Sequence, residues 1–192
     1  MARPQAYNTD DALQRATELF WSQGYGATSI DQLLVVMGLS RSSLYHAFGD
    51  KRELFIKAMD FYAVQMDPFL EALQFATDPI LAIQTLFEAV HLDPDQQIRE
   101  KGCMFVNTVV ELSEVDNILV LHAAKHMQKL NRAFEACFAS CITAGTLSPE
   151  KNPRALANFF MSVNKGLRVS VRHGSSLREL RDVMETALQV LD

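Results

Sequence analysis

The sequence has no apolar run approaching the roughly 20 residues that a membrane-spanning helix needs, and its N-terminus lacks a basic segment followed by an apolar one. Cysteine is scarce. Cys103, Cys137 and Cys141 are an odd number without the close spacing of a secreted disulfide scaffold. These absences predict a soluble protein without a secretory signal or a membrane partner, in a reducing, cytoplasmic setting.

Glycine and proline are also few, with 8 and 6 residues, and no segment alternates strictly between apolar and polar residues as a half-buried strand does. Apolar residues recur instead at spacings of three and four, which is typical of amphipathic helices. Hydrophobic residues make up 48% of the chain and charged residues 21%, so a core can form without disulfides. The sequence therefore predicts an all-α fold.

Capping residues and glycines predict where the helices begin and end. Four helices are expected first. The first has Thr9 as its N-cap and ends at Gly24, and the second is capped by Thr28 or by a capping box of Ser29 and Gln32. The third runs from Ser40 to Gly49, and the fourth starts at Asp50 with Glu53. Beyond Met66, prolines and glycines separate predicted helices near residues 69–76, 80–91, 95–115, 117–145, 153–172 and 176–191.

The net charge of −5 argues against nucleic-acid binding through bulk electrostatics, but the charge is unevenly distributed. Residues 1–52 carry five basic and five acidic residues, whereas residues 53–192 carry 13 basic and 18 acidic ones. The basic residues of the first segment, apart from Arg3 and Arg15, gather at positions 41–52. Any contact with DNA is therefore expected there.

Two short helices joined by the turn Gly38-Leu39-Ser40 predict a helix-turn-helix, buttressed by the preceding helix. In the second helix Leu44, Ala47 and Phe48 turn inward at helical spacing. The outward residues are Arg41, Ser42, Ser43, Tyr45 and His46, with Lys51 and Arg52 at the start of the next helix. Arginine can hold a guanine edge with two hydrogen bonds, and tyrosine and histidine can reach phosphate oxygens. Spacing alone also allows a capped minidomain whose polar residues are ordinary surface.

The runs GYGATSI from Gly24 and GLSRSSLYHAFGDKRELF from Gly38 closely resemble the DNA-binding domain of the TetR family of bacterial transcriptional regulators. The resemblance covers about residues 9–56. Val35, and Val36 with Met37, depart from the small residues that are frequent in the family before this turn.

The resemblance implies a helix-turn-helix DNA-binding domain over residues 1–56 and a helical ligand-binding and dimerisation domain over residues 57–192. It implies a homodimer on an inverted-repeat DNA operator, without enzymatic activity or cofactor, that most often represses until a small-molecule effector binds. An activator of the same fold is the alternative. By position, phosphate contacts are implied for Thr28 or Ser29, Tyr45, His46 and Lys51. Base contacts are implied for Arg41, Ser42 and Ser43, and Ser40 is a further DNA-binding candidate.

Bulky, deformable side chains between residues 57 and 164 suit an adaptable pocket for a mainly apolar effector, although plain core is the commoner role for any one of them. The apolar candidates are Phe61, Tyr62, Met66, Phe87, Met104, Phe134 and Phe160. The polar candidates are Asn107, Glu111, His126 and Asn164, together with His122.

Two stripes near the C-terminus predict a homodimer interface over residues 153–191. One consists of small side chains every four residues, Ser162, Gly166 and Ser170, which would let another helix approach closely. The other is an apolar seam formed by Leu177, Leu180, Met184, Ala187 and Leu191. Intramolecular packing could explain one of the two stripes.

His122 and His126 are four residues apart, as are Cys137 and Cys141, but the two pairs lie about 16 Å apart along a helix and cannot share one ion. No metal site is predicted, although a two-histidine site completed by another helix stays open. No catalytic constellation is recognisable. Cys103, with Lys101 close enough in sequence to activate its thiol, is an alternative redox or electrophile sensor.

Overall fold

The computed structural model describes residues 8–93 and 95–192; Arg3, Pro94 and the first seven positions of the expected first domain lie outside these ranges. The described residues form α-helices and one short terminal 3-10 helix, without a strand, so the predicted all-α fold is confirmed. The helices are α1 (Thr9–Gln23), α2 (Ile30–Met37), α3 (Arg41–Phe48), α4 (Lys51–Val64), α5 (Asp67–Gln74), α6 (Pro79–His91), α7 (Gln96–Lys101), α8 (Met104–Leu112), α9 (Asn117–Ala144), α10 (Pro153–Arg172) and α11 (Leu177–Leu188).

The first four helices begin at side-chain caps that are visible in the sequence. Asn8 caps α1 by accepting from the Asp10 amide, so the expected cap, Thr9, is the first helical residue instead. The Ser29 capping box on α2, the Ser40 cap on α3 and the Asp50 capping box on α4 form as predicted. These caps satisfy amides that have no partner within a helix, and so fix where each helix starts.

The single helix expected over residues 95–115 is two helices, α7 and α8, because Gly102 interrupts it with φ +68°. A left-handed backbone of this kind strongly favours glycine. The carbonyl oxygen of Gly102 accepts hydrogen bonds from Trp21 Nε1 and from an Arg168 guanidinium nitrogen, each at 3.1 Å. The break therefore creates a polar junction between α1 and α10.

Two clusters of buried side chains hold the helices together. The first cluster contains side chains of the four helices α1, α2, α3 and α4, together with Met104 and Phe105 of α8 and Leu119 and Ala123 of α9. The other packs α5, α6, α10 and α11 around the C-terminal half of α9. Helix α9 contributes to both clusters and so connects them.

The expected boundary after residue 56 falls inside α4, whose side chains Leu54, Phe55, Ala58 and Met59 are all buried in the first cluster. That division of the chain remains a prediction. Within the described ranges, no helix combines the length and the apolar character needed to cross a membrane.

Candidate DNA-binding surface and effector cavity

Helix α3 presents one polar face to solvent. Leu44 and Phe48 are buried and Ala47 is half-buried, as the helical spacing predicts. The exposed residues of α3 are Arg41, Ser42, Tyr45 and His46, with Ser43 half-buried beside them. The departures from the family pattern do not disturb this packing, since Val35 is 80% exposed while Met37 joins the core.

Three serine hydroxyls meet at the N-terminus of α3. Ser40 Oγ accepts from the Ser43 amide at 3.2 Å, and lies 3.0 Å from Ser42 Oγ and 2.8 Å from Ser43 Oγ. The network caps the helix and holds these short side chains close to the backbone. Helix α3 can therefore approach a groove closely at this end.

The basic side chains near α3 contact neighbouring residues of the same chain. Arg41 bonds Asp31 of α2 at 2.6 Å, and Arg52 bonds the buried carboxylate of Asp116 at 2.8 Å. Lys51 Nζ lies 4.4 Å from the centre of the Tyr25 ring, and partial burial lowers its pKa. Both partners of the Arg41 pair are exposed, so this contact is weak and exchangeable.

The loop between α1 and α2 separates the two candidates for the first phosphate contact. Thr28 is fully buried and its hydroxyl donates to the Gly24 carbonyl at 2.6 Å. Its hydroxyl is thus engaged within the loop, which makes Thr28 the weaker of the two candidates. Ser29 is exposed at the start of α2 and remains the candidate.

Glu111 of α8 was expected in the ligand pocket but holds that same loop instead. Its carboxylate accepts from the amides of Tyr25 at 3.1 Å and Gly26 at 2.6 Å. A Cβ on Gly26 would lie 2.9 Å from Glu111 Oε1, so a larger residue there would displace the carboxylate from this position. The contact joins α8 to the helix-turn-helix, and sequence spacing cannot reveal it since the partners are 85 residues apart.

A cavity lies between α4, α5, α6, α8, α9 and α10. Of the predicted ligand-binding residues, Tyr62, Met66, His126 and Asn164 line it. The other predictions are not supported. Phe87, Phe134 and Phe160 are buried in the second core, Met104 is buried in the first, Phe61 is half-buried outside the cavity wall, and Asn107 donates to the Lys101 carbonyl. Phenylalanine and methionine content does not distinguish a cavity from a core.

The wall also contains residues that sequence analysis missed, including Leu86, Cys103, Phe105, Met127, Met161 and Arg168. Asn164 and Arg168 are four apart on the buried side of α10, a spacing that could have identified Arg168. The volume is only about 50 Å³. Drug-sized ligands occupy roughly 300–1,000 Å³, so such a ligand must push the wall residues apart.

Polar groups in and behind the wall are strongly buried. His91 Nε2 lies 2.9 Å from Asn164 Oδ1, and burial and the Arg168 charge lower the pKa of His91 to about 3. Burial raises the pKa of Tyr62. Arg168 is 9% exposed, and its Nε has no hydrogen-bond partner among the described residues. The cavity is thus mainly apolar, with the charged side chains of Asp67, Lys129 and Arg168 in its wall.

Cys103 lies in this wall and is half-buried, whereas Cys137 and Cys141 are buried. The ammonium of Lys101 is directed elsewhere, since it bonds Glu18 and lies 5.0 Å from the centre of the Trp21 ring. Activation of the Cys103 thiol by Lys101 therefore stays a prediction.

The two C-terminal stripes have different surroundings. Ser162 and Gly166 are exposed on α10, and a Cβ on Gly166 would meet no atom within 4 Å. Exposed Phe159 and Val169 lie on the same helix. Four residues of the α11 seam, Leu180, Met184, Ala187 and Leu191, are buried in the chain's own core, so that seam is not a free interface.

Two family models match the chain: "Bacterial regulatory proteins, tetR family" over residues 12–58 and "Tetracyclin repressor-like, C-terminal domain" over residues 79–189. The HTH-type transcriptional repressor ComR of Escherichia coli is 27% identical, with 98% of this chain and 90% of ComR aligned. The uncharacterized HTH-type transcriptional regulator YezE of Bacillus subtilis is 29% identical over the full length of both chains.

Among solved structures, a cysteine mutant of the TetR-family transcriptional regulator CifR, complexed with 26-base-pair operator DNA, is 27% identical to this chain. The two superpose with a TM-score of 0.86 over 100% of both chains. The similarity therefore extends through the helical C-terminal part as well as the helix-turn-helix.

Proposed function

This chain belongs to the TetR family of bacterial transcriptional regulators, and from that premise we propose that it is a repressor that binds an inverted-repeat operator as a homodimer and is released by a small effector. The family consists of non-enzymatic DNA-binding regulators. The observation that carries the proposal is the exposed polar face of α3, held at the end of a capped helix-turn-helix. A bacterial regulator of this kind acts on DNA in the cytoplasm.

For the DNA contacts, we assign base recognition to residues 40–43 and phosphate binding to Ser29, Tyr45, His46 and Lys51. Arg41 must exchange Asp31 for a base edge, which is favourable because a bidentate contact to guanine contributes about 1–3 kcal/mol of discrimination and the exposed ion pair contributes less. Lys51 is at the first turn of α4, where free amides also favour a phosphate.

For the dimer, we assign the interface to the outer faces of α10 and α11 within residues 153–191. Support comes from the open space at Gly166, the neighbouring exposed Phe159 and Val169, and Val183 and Val190, which are exposed on α11 and the terminal 3-10 helix. A two-fold symmetric pair would place two copies of α3 on half-sites about one duplex turn apart.

For the effector, we assign the cavity bordered by Tyr62, Asn164 and Arg168. A buried guanidinium without a carboxylate partner among the described residues favours an apolar molecule with an anionic or acceptor group at one end. Arg168 also bonds the Gly102 carbonyl that Trp21 of α1 shares. An effector that draws Arg168 away would loosen α1, and a 5- to 150-fold fall in operator affinity needs only about 1–3 kcal/mol of coupling.

A second candidate is regulation by covalent modification at Cys103. The position of its thiol in the cavity wall favours it over Cys137, because burial raises the pKa of Cys137 to about 12 and keeps that thiol protonated. Release from DNA by a thiol oxidant that is lost in Cys103→Ser would support this mode. Release that persists in the variant would exclude Cys103 as the sensor.

The experiment is a gel shift on DNA upstream of the protein's own gene, paired with a promoter reporter in cells. A repressor gives higher reporter output when its gene is deleted, whereas an activator of the same fold gives lower output. Titrating the complex with hydrophobic carboxylates and their neutral esters then tests the effector class. Release by carboxylates but not by esters is expected, and equal release by both would refute the role of Arg168.

A further inference from the structure

Two histidines and one carboxylate converge on a single point between α4 and α9. Asp60 Oδ1 lies 2.8 Å from His122 Nε2 and 2.9 Å from His126 Nε2. The two Nε2 atoms are 3.3 Å apart. The i, i+4 spacing places both rings on one face of α9, and α4 supplies the third group from 62 residues away.

These separations are those of ligands around one transition-metal ion. An ion at about 2.05 Å from each atom, within the usual range of Zn–N and Zn–O bonds, sees the three pairs at angles of about 86° to 107°. Two of these angles are close to octahedral geometry, and the third is close to tetrahedral geometry. The three groups therefore need little movement to bind an ion.

Hydrogen bonding alone satisfies this cluster poorly. If both histidines donate from Nε2 to the same Asp60 oxygen, the two donor nitrogens lie only 3.3 Å apart, with no hydrogen bond between them. If either ring is deprotonated at Nε2, it loses its bond to the carboxylate, which is an acceptor only. A cation at the centre removes the conflict because all three atoms then present lone pairs to it.

Burial and orientation suit a stable site with one open side. The His126 side chain is 8% exposed. Its ring stacks on the Phe105 ring, with the two ring centres 4.9 Å apart and an interplanar angle of 9°, and this stacking fixes the orientation of the imidazole. The Asp60 side chain is 53% exposed, so an ion can enter from solvent. Three protein ligands leave at least one coordination position for water or another molecule.

We propose that Asp60, His122 and His126 form a binding site for a divalent first-row transition-metal ion. Two imidazoles and one carboxylate select zinc, cobalt, nickel or copper over magnesium and calcium, which prefer oxygen ligands. The sequence alone predicts no metal site and leaves open only a two-histidine site completed by another helix. Asp60 on α4 is that completion.

The site connects the two parts of the molecule. Helix α4 begins next to α3 and contributes to the first core, while α9 extends from that core into the second. His126 also lines the proposed effector cavity. A bound ion therefore clamps α4 to α9 at the cavity, and its presence raises the temperature of unfolding whether or not the chain binds DNA.

The test is titration of the full, tag-free chain with Zn²⁺ and Co²⁺, followed by calorimetry and by the visible absorption of bound Co²⁺. One ion per chain is expected, with the absorption of a four- to six-coordinate nitrogen and oxygen site. Asp60→Asn and His122→Gln preserve size and polarity at partly exposed positions. Each should weaken binding at least as much as the roughly 10- to 100-fold loss that mutation of an outer-shell partner causes.

His173→Gln is the matched control, since His173 is an exposed histidine outside the cluster and its loss should leave binding unchanged. Circular dichroism and unfolding temperature without metal establish that each variant is folded. Wild-type protein that binds neither ion, or Asp60→Asn and His122→Gln variants that bind as tightly as wild type, would reduce the cluster to a hydrogen-bonded triad. Neither result depends on operator binding, so the metal site and the proposed function fail separately.

Discussion

Lowering the pH should destabilise the fold through His91, which is buried beside Asn164 and Arg168. The pKa of His91 is about 3 in the folded chain against 6.5 for an exposed histidine. Between these values the unfolded chain binds the proton and the folded chain does not, so stability rises with pH. This contribution is complete above about pH 6.5 and is lost progressively as the pH falls towards 3.

The size of this loss of stability follows from the difference between the two pKa values of His91. At pH 5 the solution is about 1.5 units below the pKa of the unfolded histidine, and each unit corresponds to about 1.36 kcal/mol. Protonation of His91 should therefore lower the free energy of unfolding by about 2 kcal/mol between pH 7.5 and pH 5. Since domains of this kind are stable by only about 5–15 kcal/mol, the loss is readily measurable.

Urea unfolding followed by circular dichroism at pH 7.5, 6 and 5, at one protein concentration, measures this loss. His91→Gln keeps a hydrogen-bonding partner for Asn164 but cannot titrate, so its stability should fall about 2 kcal/mol less over this range. His173→Gln removes an exposed histidine and should keep the wild-type dependence. Parallel losses in wild type and His91→Gln would refute the assignment, because the remaining titrating groups are common to both.

Other substitutions test the dimer face, the paired arginine and the loop tether. Gly166→Leu fills space that is open in the single chain, so it should leave the fold intact while sedimentation shows dissociation of the dimer and operator affinity falls. Ala136→Leu, at an exposed position of α9, is the control and should change neither the dimer nor the affinity. A Gly166→Leu dimer with normal operator affinity would place the interface elsewhere. Asp31→Asn releases Arg41 and removes a negative charge, so fluorescence anisotropy should show tighter operator binding, and weaker binding would contradict the exchange. Glu111→Gln removes one of two carboxylate contacts to the loop and should lower the free energy of unfolding by about 0.5–1.5 kcal/mol in urea, an effect whose absence would show that the loop holds itself.

Local signals made much of the helix-turn-helix predictable. Caps at Ser29, Ser40 and Asp50 act within three residues, and helical spacing alone separates buried Leu44 and Phe48 from the exposed face of α3. Asn8 and Thr9 are both good caps, so sequence could not choose between them. Such features depend on neighbours in the chain, which is why they are visible before folding.

Features that depend on helix packing were not predictable in the same way. The α11 seam has the same pattern whether it faces a partner or its own core, and only the packed structure shows that Leu180 and Met184 face inward. The Asp60 cluster and the Glu111 tether join residues more than 60 positions apart. Phenylalanine and methionine occur both in the cavity wall and in the core, so residue type alone could not show that Phe134 is a core residue and Met66 a cavity residue.

The most direct test of the central claim compares operator binding by Arg41→Ala and Lys51→Ala across salt concentrations and operator variants. If α3 reads DNA, Arg41→Ala weakens the preferred operator by about 1–3 kcal/mol and relaxes preference at one base pair. Lys51→Ala instead weakens all sequences alike and reduces the salt dependence by about one phosphate contact. Unchanged binding in both variants would contradict the account, because the exposed face of α3 and the start of α4 would then lie away from DNA.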